Sequence, residues 1–170
     1  MKKLILMLLM MVNYFGATAQ IPQSDPDTTA KHFLTVASIG NLQEASAGHL
    51  AVQKAKRADV KAFAQVMIKD HSDAEQKLMQ LAKQQHIDLS PSATSNIQPD
   101  LNLKKAGNDF DKLYVHAMVS GHRGTVQSFE TYATTGKNPA VKAFAQQMLP
   151  ALKMHLEHIK TIEEHLNTKQ

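Results

Sequence analysis

No cysteine occurs in this chain. That single absence excludes disulfides, thiolate metal sites, cysteine nucleophiles and a lipid-anchored mature N-terminus, so the fold must rest on packing alone. Aromatic residues are scarce: nine Phe and Tyr in 170 residues, with none interleaved in a basic patch. Nor does charge of one sign dominate. With Lys2 and Lys3 set aside, 17 basic residues face 15 acidic ones, scattered among each other. A solvated surface is the reading, and nucleic acid is not an expected partner. Catalytic signatures are missing too. There is no Gly-x-Ser-x-Gly elbow and no His-Glu-x-x-His, and Gly136-Lys137-Asn138 lacks the strand and glycines of a phosphate loop.

Long apolar runs are confined to the start. Lys2 and Lys3 precede a short apolar stretch, Leu4–Val12, and Ala17-Thr18-Ala19 supplies a small-x-small cleavage site. This pattern predicts a signal peptide over residues 1–19 and a mature chain beginning at Gln20. The apolar core is shorter than the ~20 residues of a spanning helix, and nothing later is apolar enough to cross a membrane. The expected location is the periplasm or beyond, in the cell envelope or exported. Residues 20–27 read as an extended leader and residues 28–167 as one all-α domain.

What is present is a repeat. Val-Lys-Ala-Phe-Ala-Gln occurs at 60–65 and again at 141–146, and each copy is followed by a methionine, Met67 or Met148. Two related helical hairpins are predicted. The first long helix starts near Asp27 or Thr28 and runs to about Arg57. Its stripe is Phe33, Ala37, Gly40, Gly48, Ala51 and Ala55. The second, with Asp59 as cap, carries Val60, Phe63, Met67, Ala74, Leu78 and Leu81. Ser90-Pro91, Asn96, Pro99 and Gly107 forbid a continuous helix over 87–108, where a short turn at Leu101–Lys105 fits. Asp109 caps the third helix, which carries Phe110, Tyr114, Val115, Met118, Val126, Phe129 and Ala133 and ends at Gly136 as a left-handed cap. Asn138-Pro139 opens the fourth, with Val141, Phe144, Met148, Leu152, Leu156, Ile159 and Ile162 inward. Two short joints and one long one predict a ferritin-like four-helix bundle with a single crossover; a plain up-down-up-down bundle is the alternative. Pro150 predicts a kink or break in the fourth helix.

Each apolar stripe has one titratable interruption: Glu44, His71, His122 and His155. Counted from the hairpin turns, Glu44 lies 14 residues before Ala58 and His71 13 after it. His122 lies 15 before Lys137 and His155 18 after it, an offset of about one turn, ~4–5 Å. All four fall near mid-height. They ligate a divalent metal (zinc, iron, copper or manganese), or they satisfy one another as a buried polar network that fixes register. Asp70 beside His71 is a fifth ligand, an orienter of a ligand, or a surface residue. Asp111 is explained by the helix dipole, His158 by the rim of the bundle, and His49, His86 and His165 by the surface. Gly121 and Gly124 bracket His122 for close packing or for ligand access. Tyr114 is expected in the core with its hydroxyl on a polar partner. Met67, Met118 and Met148 read as core filler, with copper ligation by their thioethers the sharper alternative.

From about Ala30 to Leu166 the chain resembles a bacterial family of secreted ferritin-like proteins of unknown function, often labelled predicted outer membrane proteins. The residues that carry the likeness are Phe33 and Glu44; Phe63-Ala64, Met67 and Asp70-His71; Phe110-Asp111, Tyr114 and His122; and Phe144-Ala145, Leu149-Pro150 and His155. The resemblance implies the fold and no reaction. The mature sequence gives the membrane label no support. Diiron carboxylate proteins of the wider superfamily resemble one another in Glu-x-x-His on two helices, and no Glu-x-x-His exists here. Iron storage or ferroxidase activity is therefore not expected. The sequence leaves three function classes: a metal- or small-ligand-binding protein, a metal-dependent redox enzyme with an open position for oxygen or peroxide, and a structural or interaction module. Association with further copies of itself, and any protein partner, are left open.

Overall fold

The computed structural model describes residues 28–89, 97–98 and 100–168. The expected signal peptide and leader, and Ser90-Pro91, Asn96 and Pro99 of the long connection, lie outside the described residues. Four long helices carry the fold: α1 Thr28–Lys54, α2 Ala58–Gln84, α4 Phe110–Thr135 and α5 Pro139–Asn167, with a one-turn α3 at Leu101–Lys105.

Contacts at the two ends fix the topology. Asp111, in the first turn of α4, meets the backbone of Lys56 and Arg57 just past α1. At the opposite end Phe33 stacks on Tyr132 and packs edge-on against Phe129. Helices α1 and α4 are therefore antiparallel neighbours. Asn138, at the start of α5, donates to Gln85 at the end of α2, so α2 and α5 are antiparallel neighbours too. The packed pairs are α1–α2, α4–α5, α1–α4 and α2–α5. The chain must travel the full bundle length between α2 and α4. This is the ferritin-like crossover, and it excludes the up-down-up-down alternative.

Several local expectations meet corrections. Asn138 caps α5 as read, accepting from the N–H groups of Ala140 and Val141. Asp59 does not cap α2: the cap position is Arg57, and Asp59 sits inside the first turn, pairing with the Arg57 guanidinium at 2.6 Å. Asp109 holds the cap position of α4 but its side chain makes no capping bond. Gly136 is not left-handed, with φ −57° and ψ 138°. Its lack of a side chain has a different cause, because a Cβ there would fall 2.5 Å from the Tyr132 ring. Pro150 lies inside α5 without breaking it, which removes the break but not the kink. One missing donor in a helix of 29 residues is outweighed by the apolar face packed on either side of it.

The core is split in two. One apolar cluster, with Phe33, Leu34, Leu78, Phe129, Phe144 and Leu152, fills the end where α1 starts. The other, with Val60, Phe63, Met67, Phe110, Tyr114 and Ile159, fills the opposite end. The two hexapeptide copies open α2 and α5 at opposite ends, so Phe63 and Phe144 belong to different clusters. Between the clusters lie the buried polar residues: Ser38, Glu44, His71, His122 and His155.

Candidate functional site

All four stripe interruptions point inward and meet. Each is buried, His122 completely. The rings of His71, His122 and His155 form an equilateral triangle, each pair of centroids 5.6 Å apart. One nitrogen of each lies within 4.8 Å of one nitrogen of the others. Glu44 Oε2 lies 2.7 Å from His71 Nε2 and 3.6 Å from His122 Nε2. The one-turn offset between His122 and His155 is closed by side-chain direction. Helical side chains lean toward their own N-termini, and α4 and α5 run oppositely, so the two imidazoles lean toward each other.

Each ring has one nitrogen tied down from outside the triangle. His71 Nδ1 lies 3.1 Å from Asn41 Oδ1. His122 Nδ1 lies 3.0 Å from its own helix's Met118 carbonyl. His155 Nε2 lies 2.9 Å from Asp70 Oδ2. All three partners are oxygens, which accept, so each tied nitrogen carries the proton. The remaining atoms, His71 Nε2, His122 Nε2, His155 Nδ1 and Glu44 Oε2, are buried and have no hydrogen-bond partner. Glu44 Oε2 and His71 Nε2 nevertheless stand 2.7 Å apart as an ion pair. The lone pairs of His122 Nε2 and His155 Nδ1 face the same small volume as that pair.

The tethers have supports of their own. Asn41 Nδ2 donates to Glu75 Oε2 at 3.3 Å, and the buried Ser38 hydroxyl donates to Glu75 Oε1 at 2.6 Å. With its amide nitrogen held by Glu75, Asn41 must turn its oxygen to His71. Sequence reading missed Ser38, Asn41 and Glu75. Asp70 is placed as an orienter: its side chain is 34% exposed and its oxygen meets the His155 nitrogen that faces away from the triangle. Burial pushes the Glu44 carboxyl up, but close His71 and the charges of His122 and His155 outweigh it and hold the carboxyl below its ordinary range. Burial pushes His122 down against the pull of Glu44, and pushes His155 down against the hydrogen bond to Asp70. Both favour the neutral, ligating form.

The other candidates stand apart. His49, His86, His158 and His165 are exposed, His158 lying edge-on to Phe63. Asp111 accepts from the backbone N–H groups of Lys56 and Arg57, at 3.0 and 2.9 Å; it ties the α1–α2 turn and does not reach the site. Tyr114 is buried, but its hydroxyl finds no partner among the described residues, contrary to expectation. Burial, then the Glu44 charge, pushes that phenol up.

A family model described as a domain of unknown function, DUF4142, matches residues 16–162. The chain belongs to that family. No curated protein matches it. Two solved structures share the fold. CopM in the Cu(I)-bound form is 16% identical, covers 81% of this chain and 97% of its own, and superposes with a TM-score of 0.68. A DUF305 fragment from Deinococcus radiodurans is 10% identical, with coverage of 80% and 95% and a TM-score of 0.67. For this DUF4142 chain, no helix among the described residues is long and apolar enough to cross a membrane.

Two cavities reach the site from the seam between α1 and α4. One, of about 130 Å³, includes Gly40, Asn41, Glu44, His71, Gly124 and Ser128 in its wall. The other, of about 270 Å³, includes Glu44, Ala47, Met118 and Gly121. A Cβ on Gly121 would sit 3.4 Å from Glu44 Oε1, whereas one on Gly124 would meet nothing within 4 Å. Close packing therefore does not explain Gly124.

Proposed function

We propose that this protein binds one transition-metal ion at mid-bundle, ligated by His71, His122, His155 and Glu44. The observation that carries the reading is the division of labour on each ring. One nitrogen is spent on an outer oxygen, and the other is buried and aimed at a shared centre, bare in His122 and His155 and set against Glu44 in His71. That is how metal-bound histidines are held. A self-satisfied polar network accounts for the Glu44–His71 pair but leaves His122 Nε2 and His155 Nδ1 bare, each at a cost of about 1–3 kcal/mol.

Three neutral imidazoles and one carboxylate carry a single negative charge, enough to neutralise a monovalent ion and half the charge of a divalent one. Imidazole-rich ligation favours zinc, copper or iron over manganese. Copper has added support from the fold neighbour described in its Cu(I)-bound form. It has more from buried Met67 and Met118, each one turn before a ligating histidine on the same helix face. The ligand nitrogens, within 4.8 Å of one another, would draw in to the roughly 3.4 Å separation of a tetrahedral centre. The signal-like segment 1–19 supports a location in the cell envelope or outside it; the mass of the natively secreted protein, beginning at Gln20, tests that point.

Tag-free, metal-free protein titrated with Cu(I) and with Zn(II) tests the site. One equivalent of at least one ion is expected to bind, with binding lost in His71→Ala and His155→Ala. Glu44→Gln should weaken binding more than Asp111→Asn does. No metal uptake, together with strong destabilisation of the histidine variants, would return the cluster to a purely structural role.

A further inference from the structure

We infer that the α1–α4 seam is an entry channel, and that the metal takes an exogenous small ligand, an anion or diatomic of two or three heavy atoms, from the Gly40–Gly124 side. This rests on the metal reading above and goes beyond it by assigning the four-ligand site a fifth coordination position and a route to it. The rim of the 130 Å³ cavity is exposed at Gly124 and Ser128, and its floor is the buried pair Glu44 and His71. Glu44 and His71 meet there, with Oε2 and Nε2 buried 2.7 Å apart. The volume suits a few water-sized molecules and no more.

The glycines are the telling feature. Gly40 and Gly124 face each other across this cavity, and a Cβ on either would meet no atom within 4 Å. Neither has a positive φ, so backbone conformation does not require them. Each costs its helix about 1 kcal/mol relative to alanine. That cost is unrewarded by packing; open space beside a buried charged group is what it secures. The α2–α5 side of the site is different: there the cavity touching Asp70, His71 and His155 is only about 30 Å³ and mostly apolar-walled. A ligand therefore approaches from the α1–α4 side. The hydroxyls of Thr125 and Ser128 along the wall suit an anion or a polar diatomic.

Azide is the probe, added to the full chain loaded with one equivalent of Cu(II), with ligand-to-metal charge transfer as the readout. The wild type is expected to bind azide saturably. Gly124→Leu should hold the same equivalent of copper, yet bind azide at least tenfold more weakly or more slowly. Gly124→Ala should stay near wild type. Copper bound but no azide band, or identical azide binding in Gly124→Leu, would overturn the channel while leaving the metal site standing. Failure of the wild type to hold copper, zinc or any other ion would remove the metal site, and the channel with it.

Discussion

A histidine that hydrogen-bonds outward through one nitrogen has its ring orientation fixed, and three of them here turn their second nitrogens to the same point. The tether is therefore as informative as the ligand. Asp70→Asn and Asn41→Leu should each lower metal affinity about 10–100-fold with the fold retained; an unchanged titration would show that ring orientation is set by packing alone. Acid should act at the same residues. His122 and His155 are pushed below their ordinary 6.5, so between the folded and unfolded pKa values the unfolded chain holds more protons. Stability then rises with pH over that interval. It is at its full value above the unfolded value near 6.5 and falls as pH drops below it. Glu44, held low, adds a loss beginning below its ordinary 4.5. Thermal melts of the metal-free protein from pH 7.5 to 4 should show the midpoint falling from about pH 6.5 downward; a flat profile would contradict these assignments. At this scale the buried polar cluster was legible, because a polar residue in an apolar stripe announces burial. Ser38, Asn41 and Glu75 were not, since a polar residue at the edge of a stripe looks the same whether it faces water or a ring nitrogen.

Helix ends and helix contacts separate what pattern reveals from what only packing decides. Asn138-Pro139 was readable because its chemistry is local. The role of Asp111 was not, because its partners, Lys56 and Arg57, come from another hairpin. Asp111→Ala leaves two backbone N–H groups without their acceptor and should cost about 1–3 kcal/mol in denaturant unfolding, with metal affinity unchanged; equal stability would show that water replaces the carboxylate. Two glycines make an opposed pair. At Gly48 a Cβ would lie 2.9 Å from Ile68 Cγ1 and 3.0 Å from the Ala64 carbonyl. Gly48→Ala should therefore destabilise by about 1–3 kcal/mol through forced separation of α1 and α2. Gly124→Ala has free room and should stabilise by up to about 1 kcal/mol through helix propensity. If both changes shift stability alike, propensity rather than contact governs these helices.

On the scale of the whole molecule, two apolar clusters are joined through a polar plane that all four long helices cross. The crossover topology was legible from joint lengths alone, one long and two short. The splitting of the core was not, since the stripes read as continuous faces until the clusters at each end are resolved. A metal binding the folded state alone should stabilise the whole bundle, by about 2.7 kcal/mol at a free concentration a hundred times the dissociation constant. The most direct test of the account is X-ray absorption at the metal edge on tag-free protein loaded with one equivalent of copper or zinc. The account predicts scattering from three imidazoles and a carboxylate oxygen around one ion, and no ion held in that environment by His155→Ala. An ion surrounded by oxygen alone, or by the same imidazoles after that substitution, would contradict it.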